Sequence, residues 1–80
     1  MIYVYAIKSI HKNYIYVGQT ENVIIRFHQH NNSEEKTTKP YSPFILIFSM
    51  ECKDRIEARK WEKFYKSGEG KRRLKSLIFC

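Results

Sequence analysis

Residues 14–30 decide the fold and read YIYVGQTENVIIRFHQH. The opening residues are alternately aromatic and β-branched, which is typical of a strand, and Gly18 is expected to end that strand. Thr20 is the expected N-cap of a following helix, because its hydroxyl can accept a free backbone N–H. On that helix Arg26 and His30 are four residues apart and therefore share one stripe. A cation and an imidazole beside a tyrosine-rich strand end suit an anionic, oxygen-rich substrate, of which a phosphodiester is the obvious candidate.

The predicted helix is amphipathic. Val23, Ile24 and Phe27 are expected to form its buried face. Ile25 falls on the opposite side and is expected to be exposed. Residues 31–43 begin with Asn-Asn-Ser and then become polar with two prolines, so they are expected to end the helix and form a loop.

Two more segments have the composition of strands. Residues 2–7 are β-branched or aromatic almost throughout, which suits a central strand covered on both faces. The short polar segment 9–13 predicts a hairpin loop, so residues 14–17 should return antiparallel beside the first strand. Residues 44–50 are apolar at nearly every position and complete a three-stranded sheet.

A second helix is predicted in the last third of the chain. Asp54 and Glu57 match a capping box, with Asp in the Ser/Thr role, and the helix should run to about Lys66, where Gly68 can stop it. Glu62 lies at the edge of its apolar face. That face consists of Ala58, Trp61 and Tyr65.

A short basic helix should follow over residues 71–77. Leu74 and Leu77 are expected to dock it on the body of the domain. Its cations are candidates for contacts with a phosphate backbone. They are Lys71, Arg72, Arg73 and Lys75.

Length and composition narrow the class of protein. Eighty residues fit one domain, residues 1–80, and the absence of a long apolar run or a leader predicts a soluble intracellular protein, cytoplasmic or nucleoid-associated, with no membrane contact. The net charge of +7 favours a nucleic-acid partner, although an anionic membrane or simple solubility would account for it too. Cys52 and Cys80 belong to no motif and are expected to be free thiols.

Several of these segments together resemble the GIY-YIG nuclease domain, in particular its small stand-alone members. The resemblance covers nearly the whole chain, and the order and spacing of its parts make it specific. Tyr3 stands where the family name has glycine, and Val4 and Val17 stand where it has isoleucine. The segments are Tyr3-Val4-Tyr5, Tyr16-Val17-Gly18, Arg26 with His30, and Glu62 in the later helix.

The resemblance implies an α/β (α+β) domain, a small three-stranded antiparallel sheet flanked by helices, that hydrolyses phosphodiester bonds in DNA. Glu62 would be the single carboxylate ligand of Mg²⁺ or Mn²⁺. Arg26 would stabilise the charge of the transition state. Tyr5, Tyr16 and His30 are all candidates for the base, with the tyrosines ranked first and His30 as hydrogen-bonding partner or proton relay.

Other functions remain open. Many nucleases of the family carry an asparagine after the glutamate helix, and none occurs after Asn32 here, so the domain could bind nucleic acid without cutting it. A third hypothesis is a protein-interaction domain whose apolar contact surface combines Ile25 with residues 77–79. Each site residue also has a simpler role when taken alone. Glu62, for example, could merely pair with a cation one turn away on its own helix.

Overall fold

A computed structural model describes residues 1–79, so the thiol predicted for Cys80 lies outside the described residues. The fold is α+β, with a three-stranded antiparallel sheet flanked by helices, as predicted. Among the described residues, no helix is both long and apolar enough to cross a bilayer. The elements are β1 (Ile2–Ser9), β2 (Ile15–Thr20), α1 (Val23–Asn31), a 3₁₀ turn (Lys39–Tyr41), β3 (Phe44–Cys52), α2 (Arg55–Lys66) and α3 (Gly68–Phe79).

The sheet has the order β2-β1-β3, with both pairs antiparallel. The central position of β1 and the hairpin between β1 and β2 are both confirmed. Val4, Tyr5, Ala6 and Ile7 are all buried, as expected for a strand covered on both faces. β2 is therefore an edge strand of this sheet.

Each face of the sheet builds its own core, because successive side chains of a strand point to opposite sides. Val4 and Ala6 face α2 and α3, while Tyr5 and Ile7 face α1. The predicted apolar face of α2 is confirmed. It packs on the Val4 side, where the cluster includes Val17, Cys52, Ala58, Leu74, Trp61 and Tyr65.

The boundary between β2 and α1 differs from the prediction. Gly18 does not end the strand, which continues through Thr20. The N-cap is Asn22, whose side-chain Oδ1 accepts the backbone N–H of Ile25 at 3.1 Å. Thr20 instead supports the residue that caps the helix, because its hydroxyl oxygen accepts the Asn22 N–H at 3.2 Å.

This later start sets which residues of α1 face the sheet. Val23, Phe27 and His30 are spaced four and three residues apart, and this stripe turns towards the sheet. The prediction that Ile24 is buried is wrong, since it is 63% exposed. Ile25 is exposed, as predicted.

Helix α2 begins with the predicted cap. The Asp54 carboxylate accepts the Glu57 N–H at 2.9 Å, while the Glu57 side chain accepts the N–H of Lys53 rather than that of Asp54. The helix ends at Lys66 as predicted. Its C-cap is Ser67 rather than Gly68, which is the first residue of α3.

Helices α2 and α3 meet at a tight corner. A Cβ on Gly70 would overlap the Phe64 carbonyl oxygen and lie 2.5 Å from the Tyr65 Cα. This close approach lets α3 insert Leu74, which is fully buried as predicted. Leu77, also expected to dock, is 52% exposed. The next residue, Ile78, packs against the core cluster instead.

Candidate active site

Gly18 makes room for the Tyr5 side chain. The two residues pair across β1 and β2, so a side chain at position 18 would lie on the same face as Tyr5. A Cβ there would be 2.9 Å from the Tyr5 hydroxyl oxygen and 3.0 Å from Cε2 of Tyr16. Glycine at this position therefore allows the two tyrosines to converge.

Tyr5, His30 and Thr38 form a buried chain of hydrogen bonds. The Tyr5 hydroxyl lies 2.8 Å from His30 Nε2, and His30 Nδ1 lies 2.7 Å from the Thr38 hydroxyl. Thr38 donates its own proton to the Glu35 carbonyl oxygen at 3.4 Å, so it accepts from His30 Nδ1–H. That tautomer leaves Nε2 of His30 as the acceptor of the Tyr5 proton.

The turn after α1 brings Thr38 to this chain. Ser33 has φ of 61°, the left-handed conformation that glycine usually supplies at the end of a helix. Its N–H donates to the His30 carbonyl, and the Glu34 N–H donates to that of Gln29. The predicted loop of residues 34–43 thus contributes a buried site residue that sequence reasoning missed.

Arg26 lies beside the same tyrosine. Its Nη2 pairs with Glu35 Oε2 at 2.7 Å, and its Nη1 donates to Gln29 Oε1 at 2.9 Å. Burial lowers the pKa of Arg26, but hydrogen bonding to Glu35 and Tyr5 outweighs it, and the pKa lies above its ordinary value. The guanidinium is therefore a permanent, positioned charge.

The protonation states follow from the same contacts. Burial, reinforced by Tyr16, raises the pKa of Tyr5 to about 12, although Arg26 partly opposes the shift. Burial and the Arg26 charge lower the pKa of His30 below its ordinary value. At neutral pH the chain thus pairs a protonated phenol with a neutral imidazole.

Tyr16 completes the group on the α1 face. Its ring centroid lies 5.1 Å from that of His30 and 6.3 Å from that of Tyr5. It is half-buried and belongs to the edge strand β2. The fold therefore gathers Tyr5, Tyr16, Arg26 and His30, the four residues singled out on this side.

Glu62 lies on the opposite face of the sheet. Its Oε1 accepts from the Gln19 side chain at 2.8 Å, and its Oε2 pairs with the Lys66 ammonium at 2.8 Å. Burial raises the pKa of Glu62, but the hydrogen bonds from Lys66 and Gln19 outweigh it, so the pKa lies below its ordinary value. Sequence reasoning missed Gln19 because it expected β2 to end at Gly18, two residues before its actual end at Thr20.

Glu62 opens onto a cleft of about 370 Å³. Within residues 1–79 no group of three or more His, Cys, Asp or Glu side chains could enclose a metal ion. Mg²⁺ nevertheless keeps several waters and often takes one or two carboxylates, so a single ionised Glu62 beside open space suits it. Lys66 would have to leave Oε2 for the ion to bind there.

The two halves of the site are linked through Lys66. Its pKa is raised first by the hydrogen bond to Glu62, and also by Tyr16 and Tyr14, whose rings belong to the other face. Lys66 is therefore within electrostatic range of both halves. The predicted site residues converge on β2 from its two sides, rather than in one pocket.

The four cations of the basic helix point in different directions. Lys71 donates to the Ile15 carbonyl at 2.5 Å and, with Lys75, lines a pocket at β2. Arg73 instead lies over the Phe64 ring and near Glu69. The remaining member, Arg72, is exposed.

Comparison with known proteins gives one result. A family model described as the GIY-YIG catalytic domain matches residues 1–75. Neither the curated proteins nor the solved structures yield a match. The match spans every residue of the candidate site, from Tyr5 to Glu62, and extends through the basic residues of α3 to Lys75.

Proposed function

Because the chain belongs to the GIY-YIG catalytic domain family, a fold of nuclease type, we propose that it is a Mg²⁺- or Mn²⁺-dependent endonuclease that hydrolyses phosphodiester bonds in DNA. The observation that carries this proposal is the buried Tyr5-His30-Thr38 chain with Arg26 beside it. A phenol, a neutral imidazole and a fixed guanidinium are the groups that attack on a phosphate needs.

His30 acts as the proton acceptor through Tyr5. With its pKa raised to about 12, Tyr5 does not ionise alone, but His30 Nε2 is placed to take its proton. Tyr5 in turn takes a proton from the attacking water, whose oxygen bonds to phosphorus as the bond to the leaving oxygen breaks. Thr38 keeps the imidazole in the tautomer that this transfer needs.

Arg26 and Glu62 stabilise charge from the two sides of β2. Arg26 faces the substrate side as a permanent cation held by Glu35. Glu62 is kept ionised by Gln19 and Lys66 and is the residue that would hold the metal ion. When bound there, the metal polarises the phosphate and stabilises the leaving oxygen.

The second candidate function is nucleic-acid binding without cleavage. It is favoured by the ion pair between Lys66 and Glu62, since an ammonium occupies the carboxylate oxygen that a metal would need. The lack of any asparagine after Asn32 favours it too. Under this hypothesis the basic surface would still bind DNA, and binding would weaken with salt.

Nicking of supercoiled plasmid in Mg²⁺, Mn²⁺ or EDTA separates these functions. The parent should cut only with metal, and Glu62→Gln should lose about 10²-fold in rate or more. Glu69→Gln is the matched control, because Glu69 is an exposed glutamate on α3 and should cut like the parent. If the folded parent cuts neither plasmid, branched DNA nor RNA, the binding function replaces the nuclease.

A further inference from the structure

A second pocket, distinct from the Glu62 cleft, lies at the other end of β2. Its volume is about 240 Å³, the liquid-volume share of roughly eight waters at ~30 Å³ each. That is room for a phosphate group with part of its hydration. The pocket is lined by Asn13, Tyr14, Ile15, Lys71 and Lys75.

Its two lysines lie side by side on α3. They are four residues apart on α3 and so share one stripe of the helix. Lys71 is anchored by its hydrogen bond to the Ile15 carbonyl, which uses one of its three ammonium protons. Two protons of Lys71 and the whole Lys75 ammonium remain for a ligand.

The charge around the pocket is of one sign. Burial lowers the pKa of Lys71, and the charges of Lys66 and Lys75 lower it further. Over residues 1–79 the ion pairs include neither Lys71 nor Lys75. A half-buried cation, Lys71, and an exposed one, Lys75, without a neutralising carboxylate create a site that favours an anion.

We infer that this pocket binds a backbone phosphate of the nucleic acid. The nucleic-acid strand would then run along β2, from Lys71 and Lys75 to the Glu62 cleft. Ile15 marks the pocket and Gln19 marks the cleft, and four residues of strand span about 13 Å at ~3.3 Å each. That length equals about four base pairs of duplex at 3.4 Å each.

The inference rests on the proposed function for its ligand and deepens it in one respect. It assigns the phosphate contact to two of the four cations of the basic helix, because only Lys71 and Lys75 line this pocket. Arg73 is engaged with Glu69 and Phe64 on another side of the helix. Lys71 and Lys75 therefore contact the nucleic acid at a phosphate well away from the one that is cleaved.

The first test compares Lys75→Met with Lys53→Met, which removes the same charge from an exposed position outside the pocket. Affinity for a fluorescent DNA duplex is measured by anisotropy in EDTA between 50 and 200 mM salt. Lys75→Met should bind roughly tenfold more weakly, with a salt slope smaller by about 0.9. Lys53→Met should lose no more than about twofold. Equal affinities and slopes for the two variants would overturn the inference.

A second measurement does not depend on cleavage. Inorganic phosphate is titrated into the parent and Lys75→Met while backbone amide resonances are followed by NMR. Amides of Asn13 and Ile15 should shift in the parent and much less in the variant. If the parent cuts DNA but these amides do not respond, the pocket fails and the nuclease stands. If they respond and no DNA is cut, the pocket stands and the nuclease fails.

Discussion

Replacing Gly18 with alanine should destabilise the domain and displace the Tyr5 hydroxyl. The added Cβ would lie 2.9 Å from the Tyr5 hydroxyl oxygen, 3.1 Å from Tyr5 Cζ and 3.0 Å from Tyr16 Cε2. The Tyr5 ring is confined, because it is fully buried and bonded to His30, and the half-buried Tyr16 ring packs beside it. Neither ring can move away without breaking that bond or losing its packing.

The magnitude follows from two opposing effects. Overpacking a well-filled core costs about 1–3 kcal/mol. Gly18 does not have a positive φ, so alanine also restricts the unfolded chain and returns about 0.4–1 kcal/mol. The net loss is about 1–2 kcal/mol, which lowers the Tm of a domain this small by roughly 5–15 °C.

Thermal and urea unfolding, followed by circular dichroism, would measure this loss. Gly68→Ala is the control, because a Cβ there meets nothing within 4 Å. In a Tyr5→Phe background the closest atom is gone, so Gly18→Ala should cost less than in the parent. If Gly18→Ala is as stable as Gly68→Ala, the clearance argument is refuted.

Three further predictions concern the site. Thr38→Val should lower the free energy of unfolding by about 1–3 kcal/mol, because it leaves the buried His30 Nδ1–H unpaired. An unchanged midpoint in urea unfolding would contradict the hydrogen-bond chain. Lys66→Met should tighten Mn²⁺ binding in calorimetry without DNA, since it frees Glu62 Oε2, and equal or weaker binding would count against metal at that carboxylate. The pKa of Tyr5 is about 12 in the folded protein and about 10 in the unfolded chain. The contribution of Tyr5 to the free energy of unfolding should therefore be complete below pH 10 and decline from pH 10 to 12. Urea unfolding across this range should show a smaller decline in Tyr5→Phe, and identical profiles would refute the shift.

The parts of the fold that the sequence predicted are those set by local pattern. Residues 2–7 are apolar throughout, and this run alone predicts a central strand covered on both faces. The four-residue spacing of Arg26 and His30 likewise placed both beside the tyrosines. The strand and helix periods carry this information within a few residues of sequence.

The parts that it missed depend on distant contacts. Thr20 and Asn22 are both good caps, and the choice follows from pairing between Thr20 and Tyr3, which keeps β2 extended. Thr38 lies in a polar loop without periodicity, and only the left-handed turn at Ser33 directs it to the histidine. No local signal in the sequence marks either contact.

The central claim is that groups on the two faces of the sheet serve one reaction. It is tested most directly by single-turnover cleavage of DNA in Mg²⁺ by Arg26→Met, Glu62→Gln and the double variant. We expect each single variant to be slower by about 10²-fold or more, and the double variant to be little slower than either, because residues that act as a unit are not additive. Cleavage at the parental rate by either single variant, with its fold intact, would contradict the claim.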